Sequence, residues 1–226
     1  MNGMTNPAPI NQATEKQMYE FTLTGPIEDN EGAFIEWITQ VPGGSSLLLR
    51  INSTGGDISS ALAMAAAINQ FYEGVDDNGM RGDITAHVLG DALSAAFILV
   101  QACDWRIAEP SSHFIMHPIA INAICNPSEF KAMLHHIDHE VLALTDIVAK
   151  RACVDLDEEK AARVRQSIAN SLYGSGPVLS GSAQEMYFMG MLDEVRGLNL
   201  PARADIIAQQ QADAANVSSG GEDDAT

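Results

Sequence analysis

Basic residues are scarce: 12 Lys and Arg stand against 30 Asp and Glu in 226 residues, a formal charge of −18 at pH 7. Such a surface repels phosphate backbones and anionic headgroups, which argues against nucleic acid and acidic membrane as partners. Cysteine is also sparse. Cys103, Cys125 and Cys153 are an odd, widely separated set without Cys-x-x-Cys spacing, and read as reduced, mostly structural thiols. No run reaches the roughly 18 uninterrupted apolar residues of a membrane span. The polar stretch from Met1 to Gln17, with Pro7 and Pro9, lacks the basic segment and apolar run of a secretory leader. The expectation is a soluble, cytoplasmic protein.

What is present is enough apolar material for one core, 46% of the residues. Residues 1–17 and 200–226 have the composition of flexible tails, the second of them acidic, so the folded domain is expected over 18–199. Within it, short apolar runs alternate with helical patterns, as strands joined by crossover helices do, which predicts an α/β fold. Ser46 to Asn52 reads as a buried strand, followed by Gly55-Gly56 and a helix from Asp57 to Tyr72 with Asp57 as its cap. The pattern recurs as a strand from Ile84 to Leu89, a turn at Gly90-Asp91-Ala92-Leu93, and an apolar helix from Ser94 to Ala102. A third strand, Phe114 to Met116, leads into His117. Between units, Glu73 to Asp83 reads as an exposed loop. A long helix is predicted from Ser128, as cap, to Ala152, with Met133, Ile137, Val141, Leu144 and Val148 on one face. A second charged helix is predicted from Asp155 to Ala169.

Two of these junctions place backbone amides at the start of a helix directly after a strand, a ready site for negative charge. At Gly55-Gly56 the missing side chains let a ligand approach the backbone. At Ser94-Ala95 an amide opens the helix beside a hydroxyl. Gly56 and Ala95 could therefore donate two hydrogen bonds to the oxyanion of a tetrahedral intermediate. Ser94 needs a base to act as nucleophile, and His117, held at a strand end before Pro118, is the candidate. Read singly, Gly-Gly is a turn, the serine a helix cap and the histidine a strand-end residue.

Taken in order, the segments Ile51-Asn52-Ser53-Thr54-Gly55-Gly56, Gly90-Asp91-Ala92-Leu93-Ser94-Ala95-Ala96-Phe97 and Phe114-Ile115-Met116-His117-Pro118 resemble the three active-site segments of ClpP, the Clp protease proteolytic subunit. Phe21 to Ile27 is similar to the first core strand of that family, and Gly190 to Val195 to its closing segment. The resemblance spans about Tyr19 to Arg196. It implies the Clp/crotonase-like fold of repeated β-β-α units with a long helical handle at the Ser128 to Ala152 helix. It further implies a serine endopeptidase with Ser94 as nucleophile, His117 as general base and the amides of Gly56 and Ala95 as oxyanion hole, without metal or organic cofactor. Polypeptide substrates, assembly into homo-oligomeric heptameric rings and a feeding Clp ATPase are implied partners.

The sequence departs from the family pattern in four places. Thr54 stands where a proline precedes Gly-Gly, and Leu93-Ser94-Ala95-Ala96 replaces Ala-Ser-Met-Gly. The glycine-rich strand after the histidine is Ile119-Ala120-Ile121-Asn122-Ala123-Ile124. Finally, the triad acid is missing: alignment through Gly181-Ser182-Ala183-Gln184-Glu185 puts Val178 at its position, and the third member is unknown, with Asn170 a weak polar candidate. A catalytically inactive structural or regulatory ring subunit is therefore an alternative, and a crotonase-type acyl-CoA enzyme a lesser one. A lysine base is disfavoured because Lys16, Lys131, Lys150 and Lys160 lie away from the strand ends. His135, His136 and His139, with Asp138 and Glu140, read as an interface cluster rather than a metal site. Met186, Met189 and Met191, with Tyr187 and Phe188, read as core packing.

Overall fold

The computed structural model describes residues 17–120, 124–153 and 156–202, together with 205 and 208. The expected tails and the middle of the Ile119 to Ile124 segment lie largely outside the described residues.

The sheet is built around three long parallel strands, β1 (Met18–Pro26), β2 (Ser46–Gly55) and β3 (Asp83–Leu93). Leu47, Leu49 and Ile51 alternate into the core from β2, as the two-residue period of a strand requires. Helices α1 (Glu31–Gln40) and α2 (Ile58–Glu73) connect these strands, and α3 (Ala95–Ala102) follows β3. All but the last residue of α3 is buried, as expected of a helix that is apolar on every side. Asp57 caps α2 as predicted, its side chain accepting from Ser60 N at 2.8 Å.

The far edge of β3 is shared. Its first half, Thr85 to Val88, pairs with β4 (Trp105–Ala108), and its end, Asp91 to Leu93, pairs with β5 (His113–Met116). The turn predicted at Gly90 to Leu93 is therefore a continuation of β3. The ladder between β2 and β3 is broken by a bulge after Ile51, and Asn52 Oδ1 takes up the Asp91 amide there at 3.0 Å, so the strand carries through a glycine that looks like a stop. Antiparallel β6 (Leu179–Ser182) covers β5, and short β7 (Glu194–Val195) closes onto β4.

Buried Arg106 anchors that closure. Its guanidinium meets Asp193 through Nε and Nη2, both at 2.9 Å, and donates to Gln101 Oε1 at 2.7 Å. A bidentate carboxylate pair with a further hydrogen bond is the arrangement in which a buried cation is tolerated.

Helix α4 (Pro127–Ala152) is the predicted long helix. Its cap is Asn126 rather than Ser128: Asn126 Oδ1 accepts from the amides of Ser128 and Glu129, because Pro127 occupies the first helical position. Val141, Leu144 and Val148 are buried, whereas the preceding half of the helix stands clear of the sheet. Helix α5 (Glu158–Tyr173) begins and ends later than predicted, since Asp157 caps it and Gly174, at φ 79°, terminates it. Helix α6 (Ala183–Phe188) opens on a capping box formed by Ser182 and Glu185. The expected open loop at Glu73 to Asp83 contains one bridge, Val75 to Arg81. The parallel sheet with its six helices among the described residues is the Clp/crotonase-like α/β architecture.

Pairing of Ser53 with Ala92 brings the ends of β2 and β3 level, so the turns into α2 and α3 touch. Gly55 is the contact point. It has φ +88°, and a Cβ there would fall 2.5 Å from Leu93 O, 2.7 Å from Ser94 Cβ and 3.1 Å from Ala95 N. Gly55→Ala is expected to lower stability by about 2 kcal/mol through strain and overpacking. Urea unfolding checks it: the midpoint should fall with an unchanged slope.

Candidate active site

Strand β3 ends at Leu93 and α3 begins at Ala95, so a single residue makes the reversal. Ser94 has φ 54° and ψ −124°, and among the described residues it is the one non-glycine with positive φ. A side chain is held in that region only where surrounding structure imposes it, and such strain gathers at functional sites. Here the restraints are Ser94 N, which donates to Ile115 O at 2.5 Å, and the wall of Gly55 behind it. The geometry is that of a strand-to-helix nucleophile elbow, which lifts the hydroxyl out of the backbone. The hydroxyl makes no capping bond to α3, so the helix-cap reading of Ser94 does not apply.

The two amides expected to serve an oxyanion stand on the adjoining turns. Ala95 N opens α3, and Gly56 N follows β2; neither is bonded to another group among the described residues. Gly56, at φ +149°, is held from behind by Glu28, whose Oε2 accepts from Asp57 N at 2.9 Å. A Cβ on residue 56 would fall 2.0 Å from that oxygen, so the carboxylate fits only against glycine.

His117 follows β5 and is exposed. Its Nδ1 lies 2.8 Å from the carbonyl oxygen of Pro118. A carbonyl can only accept, so in this contact Nδ1 carries a proton, and the neutral tautomer that fits the contact is the one with its lone pair on Nε2. No hydrogen bond joins His117 to Ser94 among the described residues, although both line one cavity of about 350 Å³.

The strand register bears on the missing acid. Strands β5 and β6 pair Ile115 with Ser180 and Met116 with Leu179, so continuing the ladder sets Val178 opposite His117. The position from which a strand partner could present a carboxylate to the ring holds a half-exposed valine. Asn170 is engaged elsewhere: its Oδ1 accepts from Gln166 Nε2 at 2.8 Å, and no hydrogen bond links it to His117 among the described residues.

The cavity extends from Ser94 between α2 and α4. Ile58, Ile98, Met133, Ile137 and Leu144 give it apolar walls, and Asp57, Ser59, His136 and Glu140 supply polar groups. Glu140 is buried, with Ser59 Oγ donating to its Oε1 at 3.4 Å and His136 Nε2 3.2 Å from the same oxygen. Sequence reading placed Glu140 in an interface cluster. The helical period carried the signal: Glu140 is three residues after Ile137 and four before Leu144, on the flank of the apolar face expected for α4.

The other candidate clusters resolve more simply. His135 and His139 approach edge to face, with their Nε2 atoms 3.3 Å apart, and among the described residues no three His, Cys, Asp or Glu side chains are grouped to hold a metal. Met186 and Met191 are core residues, as expected, but Met189 and Phe188 are exposed because α6 is a short surface helix with one buried side. Cys103 is buried and Cys125 exposed.

No helix among the described residues is long and apolar enough to cross a membrane. Comparison with curated proteins finds no match. The family model described as Clp protease matches residues 38–171, more than half of the chain, and its match stops before Val178. Gly56, Ser94 and His117 all fall inside that stretch, on the fold the family shares, and the chain belongs to the Clp protease family as a divergent, ClpP-like member.

Proposed function

We propose that this chain is a serine endopeptidase subunit in which Ser94 is the nucleophile and His117 the general base. The observation that carries the reading is the backbone of Ser94: a strained serine at a strand-to-helix elbow, in a cavity lined also by His117 and by Gly56 and Ala95, whose amides have no partner among the described residues.

In the proposed reaction, His117 Nε2 takes the Ser94 hydroxyl proton as Oγ attacks the peptide carbonyl. The developing oxyanion is bound by the amides of Gly56 and Ala95, two residues that line the cavity with Ser94. The imidazolium then protonates the leaving amine, and water, activated by the same nitrogen, hydrolyses the acyl-enzyme. The direct Ser94 to His117 hydrogen bond would form with substrate, since catalytic hydrogen bonds are often open in a free enzyme. The Pro118 carbonyl takes over one task of the missing acid, holding the ring in the productive tautomer. It supplies no negative charge to stabilise the imidazolium, so turnover should be slow.

The domain proper is taken as 18–199, and family membership supports assembly into rings that take polypeptide substrates, with a Clp ATPase as feeder. On the free half of α4, Phe130 and Leu134, one turn apart, are 46% and 43% exposed, which suits a handle that packs against another subunit. The absent acid favours one competing reading, a ring subunit without catalytic activity.

Labelling by a fluorophosphonate, followed by intact mass, separates the two. One adduct is expected on the wild type and none on Ser94→Ala, with His117→Ala slowed by at least about 10²-fold; an assembled wild type that takes no label would establish the inactive reading. Val178→Asp should raise the labelling rate between about tenfold and about 10⁴-fold by returning a carboxylate opposite His117. Replacing both Phe130 and Leu134 by Glu should convert the assembled particle to smaller species, read by light scattering during gel filtration.

A further inference from the structure

The cavity beside Ser94 contains a feature that acyl transfer does not use. Glu140 projects from α4 with its side chain 10% exposed, inside walls that are otherwise mainly aliphatic. Both of its contacts, Ser59 Oγ and His136 Nε2, fall on Oε1, and Oε2 has no partner among the described residues. A second carboxylate, Asp57, lines the same space at the start of α2, where one of its oxygens caps Ser60 N. Among the described residues no lysine or arginine lines the cavity, and the cationisable groups that share its lining with the two carboxylates are the imidazoles of His117 and His136. A buried carboxylate without a full set of partners favours a cationic neighbour, and the chain's charge of −18 adds to the same field.

We infer that Glu140 makes this cavity select a lysine or arginine side chain, at the residue whose carbonyl Ser94 attacks. The inference rests on the proposed role of Ser94 and adds the substrate class. Ile58, Ile137 and Leu144 would take the aliphatic stem, and Glu140 Oε2 the cationic head, the division of labour that long basic side chains use at apolar surfaces. A volume of about 350 Å³ suits one long side chain rather than a folded segment. A substrate with an aliphatic residue at this position would leave Oε2 desolvated and unpaired, which is the source of discrimination.

The test compares two blocked tripeptide amides that differ only in a terminal lysine or norleucine, titrated by calorimetry into assembled Ser94→Ala protein, so that binding is read without turnover. The lysine peptide should bind about tenfold more tightly, one charge-assisted hydrogen bond. In the Ser94→Ala, Glu140→Gln protein the preference should vanish, while Ser94→Ala, His136→Ala should keep it, because His136 is exposed and occupies the other oxygen. Equal affinities, no binding of either peptide, or a lysine preference that survives Glu140→Gln would overturn the inference. The Ser94→Ala comparison decides it even where Glu140→Gln does not fold. Fluorophosphonate labelling reports separately: lysine preference without labelling of Ser94 overturns the peptidase reading and leaves the cationic pocket, and labelling without the preference does the reverse.

Discussion

The site depends on one steric constraint, the contact between two βα turns at the ends of neighbouring parallel strands. Strands β2 and β3 stop level with each other, and Gly55 lies against the Leu93 carbonyl and the Ser94 side chain with no room for a Cβ. That closeness accompanies the positive φ of Ser94 and brings Gly56 and Ala95 to the lining of one cavity. Parallel strands make this economical, because each helix N-terminus faces the same edge of the sheet.

The rest of the molecule brings an imidazole, His117, to that edge. Splitting the far side of β3 between β4 and β5 lets β5 run past the end of β4, and His117 leaves it beside the elbow. Strand β6 and the Arg106 to Asp193 clamp close the sheet from the C-terminal side. In a triad of the usual kind this closing layer would also deliver a carboxylate to the imidazole. Here it delivers Val178, and the ring's remaining anchor is the Pro118 carbonyl. Orientation is retained and electrostatic stabilisation is not, which are separable contributions of a triad acid.

Helix α4 has two characters along one length. Its later half is a core element, with Val141, Leu144 and Val148 sealed against the domain, and its earlier half carries apolar and histidine side chains into solvent. Glu140 sits at the change from one to the other, where it faces the cavity rather than solvent. A carboxylate at that boundary lines the same cavity as Ser94.

The sequence by itself determined the α/β class, the long helix, the cap at Asp57 and the three segments carrying Gly56, Ser94 and His117, because local periodicity, capping chemistry and glycine placement act over a few residues. Short β4 and β6 and helices α1 and α6 were not legible in it. Neither was the passage of β3 through Gly90, since a bulge stabilised by Asn52 from another strand cannot be seen in a local pattern. Alignment had put Val178 at the acid's position and the strand register sets it opposite His117; tertiary structure alone decided that the Pro118 carbonyl meets the ring and that Glu140 enters the cavity. Each depends on strand register or helix rotation, and those are set by packing between residues far apart in the chain.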